Sequence, residues 1–438
     1  MRFIQTIKNI WKIEELRRRL GITFMFILIY RFGCYVVLPG IDPNALAAAS
    51  EQMKGNGLME LLDMFSGGAF SQASVFALGI MPYITASIVI QLAGMVIPSF
   101  QKMQREGESG RMKLNQYTRY LTVAILIVQS AAYLLNLRHI VASTGGDLNL
   151  NAFNFIFLTV VLTAGSMFIM WLGEKITDKG LGNGISIIIL VGIIARFPSA
   201  FAQEFVARWT TQQGGLVMFL VEIIILFAVT AGGVMLTQGT RKIPVQYAKR
   251  IVGNKQYGGA RQYIPLKVNA ANVMPIIFAQ ALMMIPASLQ GFFSDGGNSI
   301  FMDYNGFWYN VIYFLLIVAF TYFYTAVTVR PTQMAEEMKK NSGFIPGIKP
   351  GKKTAEYIDT IMSRITLPGS LFLGLVAIMP AFARFFGVSQ GFAQFFGGTS
   401  LLIMVGVVLD TLQQIETHLM MHHYDGLMKS GKVKGRSL

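Results

Sequence analysis

Long apolar runs separated by short polar stretches extend along the whole chain. Ten such runs can be marked, at about residues 20–38, 75–97, 117–137, 152–172, 181–197, 215–237, 270–290, 307–329, 366–384 and 398–418. Most of them approach or exceed the roughly 20 residues that an α-helix needs to cross a hydrocarbon core about 30 Å thick. The pattern therefore predicts an all-α polytopic membrane protein with ten transmembrane helices.

One apolar stretch, residues 58–73, does not fit this pattern. It lies directly before the second run, and the pair Gly67-Gly68 interrupts it together with two serines, Ser66 and Ser71. Because glycine favours turns over a regular helix, the stretch is too broken to cross the membrane. It is also too apolar for an ordinary exposed loop. The hydropathy pattern alone leaves its role open.

The charges fix the expected orientation in the membrane. Of the 438 residues, 53% are hydrophobic and 13% are charged, and the net charge is +15. Basic residues concentrate in the cytoplasmic loops of membrane proteins. If the N-terminus is inside, 31 of the 37 Lys and Arg lie on the cytoplasmic side. We therefore expect both termini in the cytoplasm and the first run to be a retained span. Two basic loops, 238–267 and 330–364, are long enough to dock a cytoplasmic partner.

Few polar groups within the apolar runs could support chemistry. The ionisable candidates are Arg31, Glu222 and Asp410. Arg31 and Glu222 lie near the ends of their runs, where long side chains can reach water. Asp410 lies deeper and has no evident partner. Cys34 is the only cysteine, so an intrachain disulfide is impossible. We find no catalytic or cofactor motif. The spacing of His418, His422 and His423 could bind a metal, but a solvated helix face is the simpler interpretation. We therefore expect no enzymatic activity, no cofactor and no metal site.

Three functions are compatible with these residues taken alone. A ten-span secondary transporter of a small solute comes first, although its polar midplane site would have to be built around Asp410. A protein-conducting channel needs a pore lined by side chains that do not bind a passing polypeptide. An insertase or scaffold needs no continuous pore.

Long sequence motifs change this order. They occur in family order along nearly the whole chain: LPGID (38–42), MFSGGAFSQASVFALGIMPYITASIVIQL (64–92), EGESGR (106–111), MWLGEKITDKGLGNGISIII (170–189), IPVQYAKR (243–250) and FGGTSLLI (396–403). With these motifs the chain resembles the SecY/Sec61-alpha family, the central subunits of the Sec protein translocase. The resemblance puts the channel ahead of the transporter.

The resemblance implies two pseudo-symmetric five-helix halves, 1–197 and 198–438, around a central pore. At the waist of the pore it implies a ring of aliphatic side chains, carried onto Ile80, Ile84, Ile185, Ile189, Ile277 and Ile403. A narrow waist without hydrogen-bonding groups excludes water and ions. Residues 58–73 correspond to the plug of the family, a short helix folded back into the external funnel, and include Phe65, Ser66, Gly67 and Gly68.

The resemblance also implies contacts with lipid and with protein partners. A lateral gate, the seam through which apolar segments reach lipid, would include Ser87, Gln91 and Gln129. Partner docking would use Arg241, Lys242, Lys249, Arg250, Lys349 and Tyr424. Lys349 stands where the family commonly has Arg. The implied partners are SecE and SecG, the SecA motor ATPase, the translating ribosome, preproteins with signal sequences, and membrane lipids. The implied location is the bacterial inner membrane, and the implied role is a passive pore driven by SecA or the ribosome.

Overall fold

The computed structural model describes residues 13–41, 63–143, 151–210, 215–247, 250–252, 255–257, 261–293 and 306–429. The helices are α1 (Glu14–Gly33), α2 (Met81–Val96), α3 (Pro98–Arg105), α4 (Glu108–Ser143), α5 (Ala152–Lys179), α6 (Gly184–Thr210), α7 (Gly215–Gln238), α8 (Met274–Phe293), α9 (Phe307–Thr328), α10 (Pro331–Lys340), α11 (Lys352–Phe385), α12 (Gln390–Ala393) and α13 (Gly398–Lys429). The strands are β1 (Thr240–Tyr247), β2 (Arg250–Val252), β3 (Lys255–Tyr257), β4 (Arg261–Lys267) and β5 (Gly343–Phe344).

Most of the helices are long and apolar, as the hydropathy pattern predicts. Within the described ranges, 7 helices are long and apolar enough to cross a membrane, and 8 if α2 and α3, which are bent by 101°, count as one span. Within the described residues, Met274–Met283 of α8 forms a shorter apolar helix, and α1 carries three arginines in its first half. The class of all-α polytopic membrane protein is confirmed, and a count of ten spans is consistent with these helices.

The second span begins later than the hydropathy pattern predicts. The apolar run starts at residue 75, but α2 begins at Met81, and residues 75–80 form turns. Gly79 has a φ of +56°, in the left-handed region that a right-handed helix cannot include. Pro82 lies in the first turn of α2, where its missing N–H costs no hydrogen bond. The expected start at residue 75 is therefore wrong, because glycine and proline override hydropathy there.

The basic loop 238–267 folds as a β-hairpin. Strands β1 and β4 pair antiparallel from Thr240 with Lys267 to Gln246 with Arg261, and β5 pairs with the end of β1, which gives the strand order β4-β1-β5. Strands β2 and β3 form a separate antiparallel pair. Ile243 and Val245 pack in a buried cluster with Leu266, Met338, Ile345, Ile358 and Met362. The sheet thus joins both basic loops into one folded structure.

The chain divides into two compact units. The first contains Met1–Ala200 and Val407–Leu438, and the second contains Phe201–Gly406. In the first unit, residues 70–77 share a buried cluster with side chains from α4 and α5, among them Tyr133, Leu134 and Leu162. In the second unit, a buried cluster joins α8, α9 and α11 with Leu402 of α13. Phe70 and Ala73 of the broken apolar stretch are therefore part of the core of the first unit.

Candidate functional site in the glycine-rich segment

Residues 63–80, here called the glycine-rich segment, form a compact series of turns. Residues 63–65 are helical, and residues 66–73 and 75–80 are turns. Gly67 and Gly68 have φ angles of +66° and +95°, and in this left-handed region a side chain with a Cβ is strained. The resemblance implied a short helix over 58–73. Within the described residues the helix ends at 65, because these two glycines turn the backbone, and residues 58–62 lie outside the described ranges.

Hydrogen bonds within the segment join later residues to Asp63 at its start. The backbone N–H of Ser71 donates to Oδ1 of Asp63 at 2.8 Å, and the N–H of Gly68 donates to the Asp63 carbonyl oxygen at 2.9 Å. The hydroxyl of Ser66 accepts from the N–H of Phe70 at 3.0 Å. Polar groups within an apolar core need such partners. The segment therefore has a defined structure of its own.

Two arginines from different helices bind the segment. Nη1 of Arg31, on α1, donates to the Gly67 carbonyl oxygen at 2.9 Å. Arg196, on α6, forms an ion pair with Asp63 and donates from Nη2 to the Ser71 hydroxyl at 3.0 Å. From the sequence, Arg31 was expected to reach water, and Arg196 had no assigned role. The available signal was that both are basic residues outside the cytoplasmic loops.

Aromatic and small residues complete the surface on which the segment lies. The hydroxyl of Tyr30 donates to the Ser66 carbonyl oxygen at 3.2 Å, and that of Tyr133 donates to the Phe70 carbonyl oxygen at 2.8 Å. Sγ of Cys34 lies 3.8 Å from the Ser66 carbonyl oxygen. Gly192 of α6 allows close approach, since a Cβ there would lie 2.8 Å from the carbonyl oxygen of Phe65.

The four segment residues named from the sequence are all buried. Phe65 and Ser66 are 5% and 3% exposed, and Gly67 and Gly68 are also buried. This arrangement lets the segment pack against α1, α4 and α6 while keeping its own backbone groups hydrogen-bonded.

The six isoleucines of the expected ring lie in both units. In the first, Ile80 precedes α2, and the N–H of Ile84 donates to its carbonyl oxygen at 3.2 Å, so the two are one helical turn apart. Ile185 and Ile189 lie on α6. In the second unit, Ile277 lies on α8 and Ile403 on α13. Ile80, Ile189 and Ile403 are buried, and Ile84, Ile185 and Ile277 are half-buried.

The expected gate residues lie on α2 and α4, two helices that pack together. Nε2 of Gln91 donates to the hydroxyl of Ser87 at 3.3 Å, one turn apart on α2. Gln129 lies on α4, and all three residues lie in the described part of the chain. The bond between Ser87 and Gln91 lets α2 keep polar groups in an apolar setting at little cost.

Four of the expected docking residues lie in or close to the strands of the second unit. Arg241 and Lys242 are exposed on β1, and Lys349 is exposed between β5 and α11. Arg250 begins β2, and Tyr424 lies in the last turns of α13. Lys249 lies outside the described residues. The β-hairpin thus presents adjacent positive charges on a folded sheet.

From the sequence, Glu222 was expected to reach water. In the structure it is buried. Nη2 of Arg208 donates to Oε1 of Glu222 at 2.6 Å and to the Gly387 carbonyl oxygen at 3.0 Å, and Nε donates to Glu204 at 2.9 Å. Glu204 also accepts from the N–H of Ser389 at 2.9 Å. This buried charge cluster links α6 and α7 to the turn after α11. Proximity in space, which hydropathy does not reveal, pairs Glu222 with Arg208.

Asp410, the candidate for a transporter site, is exposed on α13. Its Oδ2 accepts from Nε2 of Gln414 at 3.3 Å, one turn away on the same helix. Within the described residues, no cluster of three or more His, Cys, Asp or Glu side chains could hold a metal ion. A lone exposed carboxylate does not make the enclosed polar site that solute binding requires.

Comparison with known proteins shows which family the chain is similar to. A family model described as SecY matches residues 74–412. The chain is 44% identical to the protein translocase subunit SecY of Streptomyces galbus, and the match covers 96% of this chain and 98% of that protein.

Two solved structures show the same fold at lower identity. One, described as showing that the plug domain of the SecY protein stabilises the closed state of the translocation channel, has a TM-score of 0.61 at 18% identity and covers 92% of each chain. The other, Sec61 in a canine ribosome-channel complex, has a TM-score of 0.58 at 16% identity, again over 92% of each chain.

Proposed function

The chain belongs to the SecY family of protein translocase subunits, and we propose that it works as a passive pore closed by the glycine-rich segment. Its family makes it a multi-pass membrane protein and a subunit of a protein-conducting channel. The observation that carries the proposal is the burial of residues 63–80 against α1, α4 and α6, held by directed polar bonds. A segment that only filled space would need no such set of bonds.

The chemistry of the isoleucines supports their assignment to the pore waist. Side chains of Ile80, Ile84, Ile185, Ile189, Ile277 and Ile403 offer no hydrogen bonds. A constriction of this kind loses its water and blocks ions, yet adjusts around a passing polypeptide. We propose that these six residues form the ring and that the halves 1–197 and 198–438 enclose it. Ser87, Gln91 and Gln129 would lie at the lateral gate.

The partners are proposed from charge and from the relatives. The sheet carries exposed Arg241 and Lys242 on β1, and Lys349 is exposed shortly after β5. Such a surface suits a polyanion such as ribosomal RNA, and a solved Sec61 chain of the same fold was seen in a ribosome-channel complex. We propose docking of the ribosome or the SecA motor there, with SecE and SecG as companion subunits. The proposed location is the bacterial inner membrane with both termini inside, and the proposed pore itself catalyses no reaction.

A reconstituted translocation assay tests the function. Proteoliposomes that contain the chain with its companion subunits receive the motor ATPase, ATP and a secretory precursor, and protease protection measures translocation. We expect protection that requires both the motor and the signal sequence. Protection without the motor would contradict the passive pore, and no protection with correctly inserted protein would favour the scaffold. The small-solute transporter is not supported by the family match or by the exposed Asp410.

A further inference from the structure

We infer that Arg31, Arg196 and Asp63 form a latch that holds the glycine-rich segment closed, and that its release is a step in channel opening. This arginine latch rests on the assignment of the segment as the plug. In it, two arginines on helices bind the segment, and Asp63 of the segment binds one of them.

The ion pair between Asp63 and Arg196 is the stronger part of the latch. The side chains of Asp63 and Arg196 are 13% and 33% exposed, so water screens the pair only partly. Both oxygens of the carboxylate are engaged, Oδ1 by the N–H of Ser71 and Oδ2 by Arg196. The same carboxylate therefore closes the segment on itself and binds it to α6. Charge-assisted hydrogen bonds of this kind are stronger than neutral ones.

Arg31 holds the segment at a second point and from a second helix. It donates to the Gly67 carbonyl oxygen at 2.9 Å and to the Tyr35 hydroxyl at 3.3 Å. A Cβ at Gly67 would lie 2.8 Å from Nη1 of Arg31, so glycine is needed for this approach. Because Arg31 is on α1 and Arg196 on α6, the segment cannot leave without breaking both contacts.

The latch differs from apolar packing in how it is released. Phe65, Ala69 and Phe70 are buried in the first unit. Their burial favours the closed state, but the hydrophobic effect does not depend on the orientation of the contacting groups. The polar bonds require one geometry, and water can replace them once the segment moves. Weak screening at low salt and stronger screening at high salt make the ion pair sensitive to ionic strength. The latch thus gives the closed state one defined position and a reversible release.

Movement of the segment can be measured with Cys34, the only cysteine of the chain, so no cysteine has to be introduced. Cys34 is 2% exposed, and its Sγ lies 3.8 Å from the Ser66 carbonyl oxygen of the segment. A maleimide reaches the thiol only when the segment moves away. When closing is faster than labelling, the labelling rate is proportional to the open fraction. The rate of Cys34 modification by N-ethylmaleimide in isolated membranes therefore measures the latch.

The variants Asp63→Asn and Arg196→Gln remove the ion pair and keep a polar side chain at each position. We expect each to raise the labelling rate at least about tenfold, since a hydrogen bond to a charged group contributes about one to two factors of ten. The double variant should label more slowly than the product of the two single effects predicts, because both changes remove the same ion pair. Glu15→Gln, in an exposed ion pair with Arg19 at the other end of α1, is the matched control and should leave the rate unchanged.

Two further variants keep the test informative. Arg31→Gln should raise the rate independently, and combining it with Arg196→Gln should multiply the two effects. Arg196→Lys keeps the charge near Asp63 but loses the second bond, so an intermediate rate is expected. It replaces Arg196→Gln if that variant does not insert.

The outcomes separate the latch from the plug assignment. Unchanged labelling in every variant, or effects of Asp63→Asn and Arg196→Gln that multiply, would overturn the latch whatever the channel does. Faster labelling together with a higher resting ion conductance in planar bilayers would support both the latch and the plug. Faster labelling at unchanged conductance would support the latch and contradict the plug as the seal.

Discussion

The substitution Gly192→Ala tests whether the fit of the glycine-rich segment against α6 keeps the channel closed. A Cβ at residue 192 would lie 2.8 Å from the carbonyl oxygen of Phe65, 3.3 Å from the backbone nitrogen of Gly67 and 3.5 Å from the carbonyl oxygen of Met64. All three are backbone atoms, which cannot rotate away as a side chain can. Overpacking of this kind costs about 1–3 kcal/mol. The segment must move, so its open fraction should rise roughly 5- to 150-fold, at about 1.4 kcal/mol for each factor of ten.

The assay is the resting ion conductance of the purified complex in planar bilayers, normalised to the amount of inserted protein. Gly21→Ala is the matched control, because Gly21 also lies within a helix but has no atom within 4 Å of a Cβ position. Both changes raise helix propensity equally, so only the contact with the segment differs. We expect higher conductance for Gly192→Ala alone. Equal conductance of the two variants would refute the argument that this contact closes the pore.

Three further predictions concern the ring, the buried charges and the docking surface. Replacing Ile84 and Ile189 with Asn should hydrate the pore waist and raise the resting conductance; an unchanged conductance would count against the ring. Arg208→Ala leaves two buried carboxylates without their cation, so we expect a loss of about 3–5 kcal/mol in stability, seen as a lower unfolding temperature in detergent; a shift no larger than that of a surface Arg→Ala variant would contradict this. Reversing the charges of Arg241 and Lys242 should weaken ribosome binding. The slope of the logarithm of the binding constant against the logarithm of the salt concentration should become shallower by about one for each phosphate that is no longer neutralised. Unchanged binding at all salt concentrations would place the docking surface elsewhere.

The apolar runs predicted the class of the fold because a hydrocarbon core imposes one length on every span. The prediction was wrong at the start of α2. There Gly79 and Pro82 prevent the helix from beginning earlier, although the preceding residues are apolar. Local backbone constraints are invisible to an average over hydropathy. The same limit applies to 238–267, which has the composition of a loop but folds as a hairpin, because Ile243 and Val245 alternate with exposed residues.

The candidate site was located by sequence but not explained by it. The glycines and serines of residues 65–74 indicated an unusual segment, and the resemblance supplied the idea of a plug. The residues that bind the segment, Arg31 and Arg196, are distant in sequence from Asp63 and Gly67. Pairing of a single charge with a partner so far along the chain depends on tertiary structure. The buried pair of Arg208 with Glu222 was missed for the same reason.

The most direct test of the central claim is whether a secretory polypeptide passes the isoleucines at the pore waist. Cys34 is replaced by Ser, one new cysteine is placed at Ile84, and a stalled precursor carrying a thiol-reactive probe is added with its partners. The account predicts a cross-link that requires an intact signal sequence. The absence of a cross-link, with inserted protein and active partners, would contradict a pore at this position.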